Sequence, residues 1–246
     1  MQPPPTHAEC GDTFSDKRKP TDVTDMDFEQ ARFNMVEQQI RTWEVLDQSV
    51  LDLLFQVKRE DFVPRAYRAI AFTDMEIPIG EGQLMMAPKM EARIVQELAP
   101  KAADRVLEIG TGSGYLTALL ASRAATVTSV EIFDAFSRNA ADNLARANIR
   151  NVILKVGDGA ESPAAFTGSG ETFDVIVLTG SVPVVPQAYL DALAENGRLF
   201  VIVGDAPVMK ATLFTRSGRK AFAHAEIFET VVAPLINAKQ PSRFDF

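Results

Sequence analysis

The chain has 246 residues, 46% of them hydrophobic, which suits one large α/β domain with additions. A formal net charge of −8 without any basic run argues against partners such as nucleic acid or an anionic membrane surface. One cysteine, Cys10, excludes an internal disulfide framework, and the two histidines, His7 and His224, leave little for a metal site or a catalytic triad, so no metal is expected. The chain lacks an apolar run of about 20 residues, and its N-terminus lacks an apolar signal core, so we expect a cytoplasmic protein.

Three regions are predicted along the chain. Residues 1–25 are rich in proline, aspartate, threonine and lysine and bury too little apolar surface to offset ordering, so we predict a disordered extension. Residues 26–100 are expected to form a helical lid that packs on the main domain. Residues 101–246 are expected to form the ligand-binding α/β domain.

Apolar spacing predicts two helices at the start of the lid. Residues 28–46 place Phe33, Val36, Ile40 and Trp43 on one helical face and leave Arg32, Glu37 and Arg41 off it. Asp47 is a suitable N-cap for the second helix. The inward residues of that second helix are Val50, Leu51, Leu54 and Phe55.

A glycine-flanked loop connects the lid to the main domain. Leu84, Met85 and Met86 are consecutive apolar residues between Gly82 and Pro88, an arrangement that favours a loop covering a ligand. Pro88 suits the first turn of a helix whose buried stripe is Met90, Ile94 and Leu98. The candidates for contact with a substrate are Gln83, Met85, Met86 and Pro88 in this segment, together with Thr179 further along the chain.

From Arg105 onward, short apolar runs alternate with helix-forming segments. Strands are predicted at residues 105–109, 126–130, 152–156, 173–179 and 199–203, with helices at 114–123, 134–147 and from Pro186 to a glycine stop at Asn196-Gly197-Arg198. A final hairpin is predicted from residues 211–215 and 221–232. This alternation predicts an α/β fold with a Rossmann-like, mostly parallel sheet, helices on both faces and an antiparallel C-terminal hairpin.

The first strand of that domain runs directly into a glycine-rich turn. Three glycines, Gly110, Gly112 and Gly114, alternate between the strand and the next helix, which lets a ligand approach bare backbone. The free N–H groups of the following helix favour a carboxylate or phosphate end of that ligand. A dinucleotide fingerprint needs a glycine where this chain has Tyr115, so an NAD-dependent oxidoreductase is disfavoured.

Acidic residues follow the next two predicted strands. Glu131 ends the second strand, where a carboxylate can accept both hydroxyls of a ribose, and Asp158 follows the third strand between Gly157 and Gly159. Asp158 has the type expected to accept from an adenine amino group, although a turn residue between glycines is the alternative. Because the carboxyl ends of parallel strands meet at one edge, the sequence predicts a nucleoside site there.

Several motifs in order along residues 30–204 resemble the protein-L-isoaspartate O-methyltransferase family of class I S-adenosylmethionine-dependent methyltransferases. The matching stretches are Met35-Val36-Glu37-Gln38-Gln39-Ile40, Asp61-Phe62-Val63-Pro64, Ile79-Gly80-Glu81-Gly82-Gln83, residues 106–115, Asn151-Val152, Gly157-Asp158-Gly159 and Gly197-Arg198-Leu199. The resemblance implies methylation of isoaspartyl carboxylates in damaged proteins, with S-adenosyl-L-methionine as cofactor. It implies that the cofactor contacts Glu108, Gly110, Thr111, Gly112, Ser113, Gly114, Glu131, Ile132, Gly157, Asp158 and Gly159.

The chain departs from that family at one place. After Gly-Glu-Gly-Gln the family continues Thr-Ile-Ser, whereas this chain has Leu84-Met85-Met86, and a thioether cannot donate the hydrogen bond of a hydroxyl. Three readings therefore stay open: an isoaspartyl methyltransferase, a methyltransferase of the same fold with a more apolar acceptor, and a cofactor-binding module without turnover. The expected partner is a protein or peptide that contains isoaspartyl residues, and we expect a monomer.

Overall fold

The structure, a computed structural model, describes residues 27–160 and 162–240. Within them, two strands form a small hairpin and seven form a single sheet. The strands in chain order are β1 (Ile77–Gly80), β2 (Gln83–Met85), β3 (Arg105–Ile109), β4 (Thr126–Glu131), β5 (Val152–Val156), β6 (Phe173–Val182), β7 (Leu193–Asp205), β8 (Val208–Gly218) and β9 (Ala221–Thr230). The extension predicted at residues 1–25 lies outside the described residues.

The large sheet has the strand order β5-β4-β3-β6-β7-β8-β9. Strands β3 to β7 are parallel, and β8 pairs antiparallel with both β7 and β9. The predicted α/β fold, with its mostly parallel sheet and antiparallel C-terminal edge, is confirmed. Strand order reverses at β3, because β4 lies on one side of it and β6 on the other, and such a reversal opens a crevice at the carboxyl ends of the strands.

Helices cover both faces of this sheet, and local signals set where they begin. The α-helices are α1 (Phe28–Asn34), α2 (Gln48–Gln56), α3 (Pro88–Leu98), α4 (Tyr115–Ala121), α5 (Asp134–Arg146) and α6 (Gln187–Asp191). The predicted cap of α2 is confirmed, because the Asp47 carboxylate accepts from the backbone N–H of Ser49 at 2.8 Å. Helix α3 begins at Pro88, as predicted, and its stripe of Met90, Ile94 and Leu98 is buried.

The single helix predicted over residues 28–46 is confirmed only in part, because the helical segment ends at Trp43 and changes type after Asn34. A π-helical turn (Met35–Ile40) and a 3₁₀ turn (Arg41–Trp43) follow α1 directly. A period of 3.6 residues does not hold across a π-helical turn, so the predicted face splits. Val36 and Ile40 are buried, whereas Phe33 and Trp43 are each 49% exposed.

Arg32, predicted to lie off the buried face, is 1% exposed. Its guanidinium forms a buried ion pair with Glu60 and also donates to Glu29 at 2.6 Å. The guanidinium lies 5.9 Å from the ring centroid of Phe72. Hydrophobic patterning misses this position because a partner carboxylate 28 residues away compensates the charge.

The predicted glycine stop at Asn196-Gly197-Arg198 is wrong, because these residues lie inside β7. Strand pairing shifts register there: Phe173 pairs with Leu193, whereas Val175 pairs with Arg198. Asn196 has a φ of 61°, and a Cβ on Gly197 would come within 3.0 Å of Phe173 O. A glycine is therefore favoured at this irregularity in β7, because the backbones of β6 and β7 approach each other too closely for a side chain.

The lid segment packs against the sheet through one hydrophobic core. Buried side chains of the residue 35–98 segment, such as Leu51 and Ile94, belong to the same cluster as Val106 and Val175 of the sheet. A second cluster lies on the other face, where α6 covers β6 and β7. Across residues 27–160 and 162–240, every helix is too short or too polar to cross a membrane.

The buried pair of Arg32 and Glu60 gives a stability prediction. Arg32→Met should lower the free energy of unfolding by about 3–5 kcal/mol, because it leaves the Glu60 carboxylate buried without its cation. Urea unfolding followed by circular dichroism measures the change. Arg138→Met, which removes an exposed helix pair with Asp134, is the control and should cost no more than about 0.5 kcal/mol. Equal losses in the two variants would contradict the assignment.

Candidate functional site

A cleft opens at the carboxyl ends of β3 to β6. It encloses about 810 Å³ of empty space, including its open mouth. The predicted residues that line it are Gln83, Met86, Gly110, Gly112, Glu131, Ile132, Gly157, Asp158, Gly159 and Thr179. The predicted residues that are not among its lining are Met85, Pro88, Glu108, Thr111, Ser113 and Gly114.

The glycine turn at the floor of the cleft depends on positive φ angles. Gly110, Gly112 and Gly114 have φ values of 96°, 53° and 83°, which L-residues with side chains rarely adopt. Packing adds a second constraint, since a Cβ on Gly114 would come within 3.1 Å of Ala140 Cβ and one on Gly110 would overlap the Thr179 hydroxyl. The turn is thus a stretch of bare backbone pressed between β6 and α5.

Glu131 connects the end of β4 to this turn. One carboxylate oxygen accepts from the Gly112 N–H at 2.8 Å and the other from the Phe133 N–H at 3.0 Å. The residue is 5% exposed but still lines the cleft. Because each carboxylate oxygen has about two acceptor positions, Glu131 can fix the turn and still accept from a ligand.

Glu108, which the family resemblance places in contact with the cofactor, does not line the cleft. Its side chain is fully buried and accepts from the hydroxyls of Thr117 and Ser129. Ser129 also exchanges a hydrogen bond with the hydroxyl of Thr111 in the turn. The Glu108 carboxyl is therefore linked to the turn through the hydroxyls of Ser129 and Thr111. Burial raises the pKa of Glu108 to about 7.

Asp158 is held at the end of β5 by two polar contacts. Its carboxylate accepts from the Ala160 N–H at 2.8 Å and from the side-chain amide of Asn237 at 2.7 Å. The next residue, Gly159, accepts at its carbonyl from the Tyr189 hydroxyl at 2.6 Å. Burial raises the pKa of Tyr189, so this hydroxyl stays a donor and fixes the backbone beside Asp158.

Thr179, predicted as a substrate contact, faces the glycine turn. Its hydroxyl lies 2.9 Å from the Ile109 carbonyl oxygen and 3.0 Å from that of Gly110. The hydroxyl proton is therefore already directed at the turn, and Thr179 braces the backbone while lining the cleft.

The segment after β9 forms a wall of the cleft that the sequence analysis missed. It returns to β6, where the Ser181 N–H donates to Ala233 O at 3.0 Å and the Leu235 N–H donates to Ser181 O at 2.8 Å. Residues 232–236 all line the cleft. The sequence feature that accompanies this return is Gly180, because a Cβ at that position would come within 2.7 Å of Leu235 N. Other lining residues outside the predicted set are Glu76, Ile79, Leu84, Ile109, Val130, Phe133 and Phe136.

The hairpin of β1 and β2 lies over the same cleft. Its three consecutive apolar residues, Leu84, Met85 and Met86, point alternately toward the cleft and toward the core. Leu84, which is 45% exposed, and Met86 both line the cleft, whereas Met85 between them is buried in the core. Fully buried Arg59 holds the hairpin in place by donating to Met86 O at 2.6 Å and Ala71 O at 2.9 Å and pairing with Glu91. Arg59 was another residue that sequence patterning did not single out.

Comparison with known proteins gives a consistent set of relatives. A family model for protein-L-isoaspartate(D-aspartate) O-methyltransferase matches residues 30–240. A protein-L-isoaspartate O-methyltransferase from Methanoculleus marisnigri is 42% identical over 175 residues, covering 70% of this chain and 77% of that protein. Another from Syntrophotalea carbinolica is 36% identical over 216 residues, covering 86% and 95%. A Plasmodium falciparum structure assigned to the same enzyme class, in complex with S-adenosyl-L-homocysteine, shares the fold with a TM-score of 0.72 at 20% identity, covering 85% of this chain and 97% of that one.

The contact of Gly180 with the returning segment gives a prediction for the cleft. Gly180→Ala should displace residues 232–236, because the added Cβ meets backbone atoms of Leu235 at 2.7 and 2.9 Å. Binding of S-adenosylhomocysteine, measured by calorimetry, should weaken about tenfold or more, as expected for loss of about 1.4 kcal/mol.

Gly218→Ala is the matched control, since its Cβ would only meet Ala221 Cβ at an ordinary 3.7 Å. Unchanged affinity in both variants would show that the returning segment is not part of the binding wall.

Proposed function

This chain belongs to the protein-L-isoaspartate(D-aspartate) O-methyltransferase family, and on that premise we propose how its cleft binds cofactor and acceptor. It is an S-adenosylmethionine-dependent methyltransferase that acts on isoaspartyl carboxylates in proteins. Separate parts of the cleft are assigned to the nucleoside, to the methionine end and to the acceptor carboxylate. The observation that carries it is the convergence of Glu131, Asp158 and the glycine turn on one cleft.

The nucleoside end fits the ends of β4 and β5. Glu131 is the residue we assign to the ribose hydroxyls, since its oxygens retain acceptor capacity after the two backbone contacts. Asp158 is assigned to the adenine amino group and the Gly159 N–H to a ring nitrogen. A side chain on Gly159 would overlap Ile109, which supports a need for bare backbone here.

The methionine end fits the glycine turn. Gly110 and Gly112 line the cleft with positive φ angles, so backbone groups are presented there without side chains. Thr111, Ser113 and Gly114 support the shape of the turn from outside the lining. Glu108 is assigned a supporting role through Thr117 and Ser129, in place of the direct contact implied by family resemblance.

The acceptor needs alignment more than acid–base help. Bound S-adenosylmethionine supplies a methyl group on a sulfonium, and an isoaspartyl carboxylate is already ionised at neutral pH. Gln83 and Met86 from the hairpin line the cleft with residues 232–236 from the returning segment. Among the described residues, the Gln83 amide has only a long 3.4 Å contact, with Glu81 O, so it is the group we assign to orient the acceptor carboxylate.

A second reading, a more apolar acceptor on the same fold, is favoured by the position of Met86. Its thioether lines the cleft where the family motif has a serine, and it cannot donate a hydrogen bond to a carboxylate. An acceptor oxygen left without a partner there costs about 1–3 kcal/mol. The two readings differ in whether the unmodified chain methylates an isoaspartyl peptide. The Met86→Ser variant shows how far the missing hydrogen-bond donor limits that transfer.

The role of Glu131 is tested by Glu131→Gln. Loss of the carboxylate should weaken S-adenosylhomocysteine binding about 10- to 100-fold, because hydrogen bonds to charged groups contribute about 1.5–3 kcal/mol each. Calorimetry measures the affinity, and Glu195→Gln, at an exposed position of β7, is the matched control. An affinity equal to that of the control would remove Glu131 from the site.

The acceptor is tested with an isoaspartyl peptide and radiolabelled cofactor. The unmodified chain should transfer methyl groups above blank, and Met86→Ser should raise kcat/KM by about 5- to 100-fold, since it restores a donor worth about 1–3 kcal/mol. Met75→Ser, at an exposed methionine that does not line the cleft, is the control and should leave kcat/KM unchanged. Transfer by neither the unmodified chain nor Met86→Ser would contradict the isoaspartyl reading.

A further inference from the structure

Strand β9 is the last strand of the sheet, and within residues 27–160 and 162–240 nothing pairs with its outer edge. The strand runs for ten residues (Ala221–Thr230) and contains no proline. An edge of this kind presents a row of unpaired N–H and C=O groups that can pair with another strand. What could pair with it is indicated by the order of its side chains.

The residues along the first part of this edge are complementary to themselves when read antiparallel. They are Lys220 in the turn before the strand and Ala221-Phe222-Ala223-His224-Ala225-Glu226 in the strand itself. About a two-fold axis at Ala223, Lys220 of one copy lies opposite Glu226 of the other, Phe222 opposite His224, and Ala221 opposite Ala225. We propose that β9 pairs with β9 of a second copy of this chain in this register, joining two sheets into one.

The register within each chain places these partners on matching faces. Phe222, His224 and Glu226 pair with Arg216, Phe214 and Thr212 of β8, which puts all three on one face. Alternation puts the three alanines on the other face, and Lys220 lies in the turn just before the strand, from which its long side chain can reach along the edge. Directly opposed residues of an antiparallel pair share a face, so Phe222 and His224 meet across the axis, and Lys220 reaches Glu226 of the second copy from the turn.

Each face of the joined edge has a physical reason to associate. His224 already stacks on Phe214 with ring centroids 5.5 Å apart, and Phe222 of the second copy extends this stack. Glu226 accepts from Lys210 at 2.6 Å and is 55% exposed, so it can also pair with Lys220 of the second copy. On the other face, Ala221, Ala223 and Ala225 are exposed and small enough to avoid steric conflict.

The length of regular strand limits the strength of this contact. The β8–β9 register shifts between Glu226 and Phe228, and this irregularity ends the segment that can pair in step. Six residues of regular edge, from Ala221 to Glu226, bury less than the roughly 1,200 Å² of a standard stable interface. The dimer should therefore be weak and concentration-dependent, with the monomer expected from the sequence prevailing at low concentration.

Sedimentation velocity on the full chain, from about 1 µM to about 1 mM, tests the association and its charge order. The unmodified chain should shift from monomer to dimer. Lys220→Glu alone and Glu226→Lys alone should each stay monomeric, because like charges then face each other twice in the pair. An equimolar mixture of the two variants should dimerise again, since opposite charges face each other at both ends.

A monomer of the unmodified chain at every concentration would overturn the proposal, and so would dimers of either variant alone. Failure of the mixture to associate, with both variants folded by circular dichroism, would show that charge order at this edge does not select the partner.

Disulfide trapping tests the register. In a Cys10→Ser background, Ala223→Cys should form an oxidised dimer, because facing Cα atoms of an antiparallel pair are about 4.5–5.5 Å apart. Ala221→Cys is the matched control, since in this register its two copies are separated by four residues along the strand, roughly 14 Å. Equal trapping of both variants, or trapping of neither, would contradict pairing about Ala223. These readouts do not depend on methyl transfer, so they stand apart from the proposed function.

Discussion

The hydrogen bond from the Gly112 N–H to the Glu131 carboxylate is the contact on which the site depends. It joins the end of β4 to the turn after β3, so an acidic residue and a bare backbone bend become parts of one surface. Both strands are buried and parallel, and their register fixes the spacing between the two ends. A charged acceptor is favourable here because it satisfies backbone donors that would otherwise be left unpaired in a partly buried place.

The sheet supplies only the floor of the cleft, and two other segments complete it. The β1–β2 hairpin is held by Arg59, and the segment after β9 is held by backbone hydrogen bonds to Ser181. Both segments lie outside the strand–helix alternation that forms the proposed nucleoside site. The floor carries the glycine turn and the acids at the strand ends, whereas Leu84-Met85-Met86, where the chain departs from the family motif, lies in the hairpin above it.

Much of this architecture follows from the sequence because the signals are local. The apolar runs at β3 to β6, the three glycines and the acids at strand ends predict a parallel sheet and bring Glu131 and Asp158 to one edge. Signals that depend on tertiary partners are absent from such patterns. Burial of Arg32 and Arg59 depends on Glu60 and Glu91, and the return of residues 232–236 depends on Gly180 having no side chain.

The most direct test of the account is the structure of this protein bound to S-adenosylhomocysteine. The account predicts ribose hydroxyls within about 3 Å of the Glu131 carboxylate oxygens, the adenine beside Asp158, and the amino-acid end against Gly110 and Gly112. A ligand bound elsewhere, for instance in the groove between residues 60–68 and α5, with Glu131 contacting only backbone N–H groups, would contradict it.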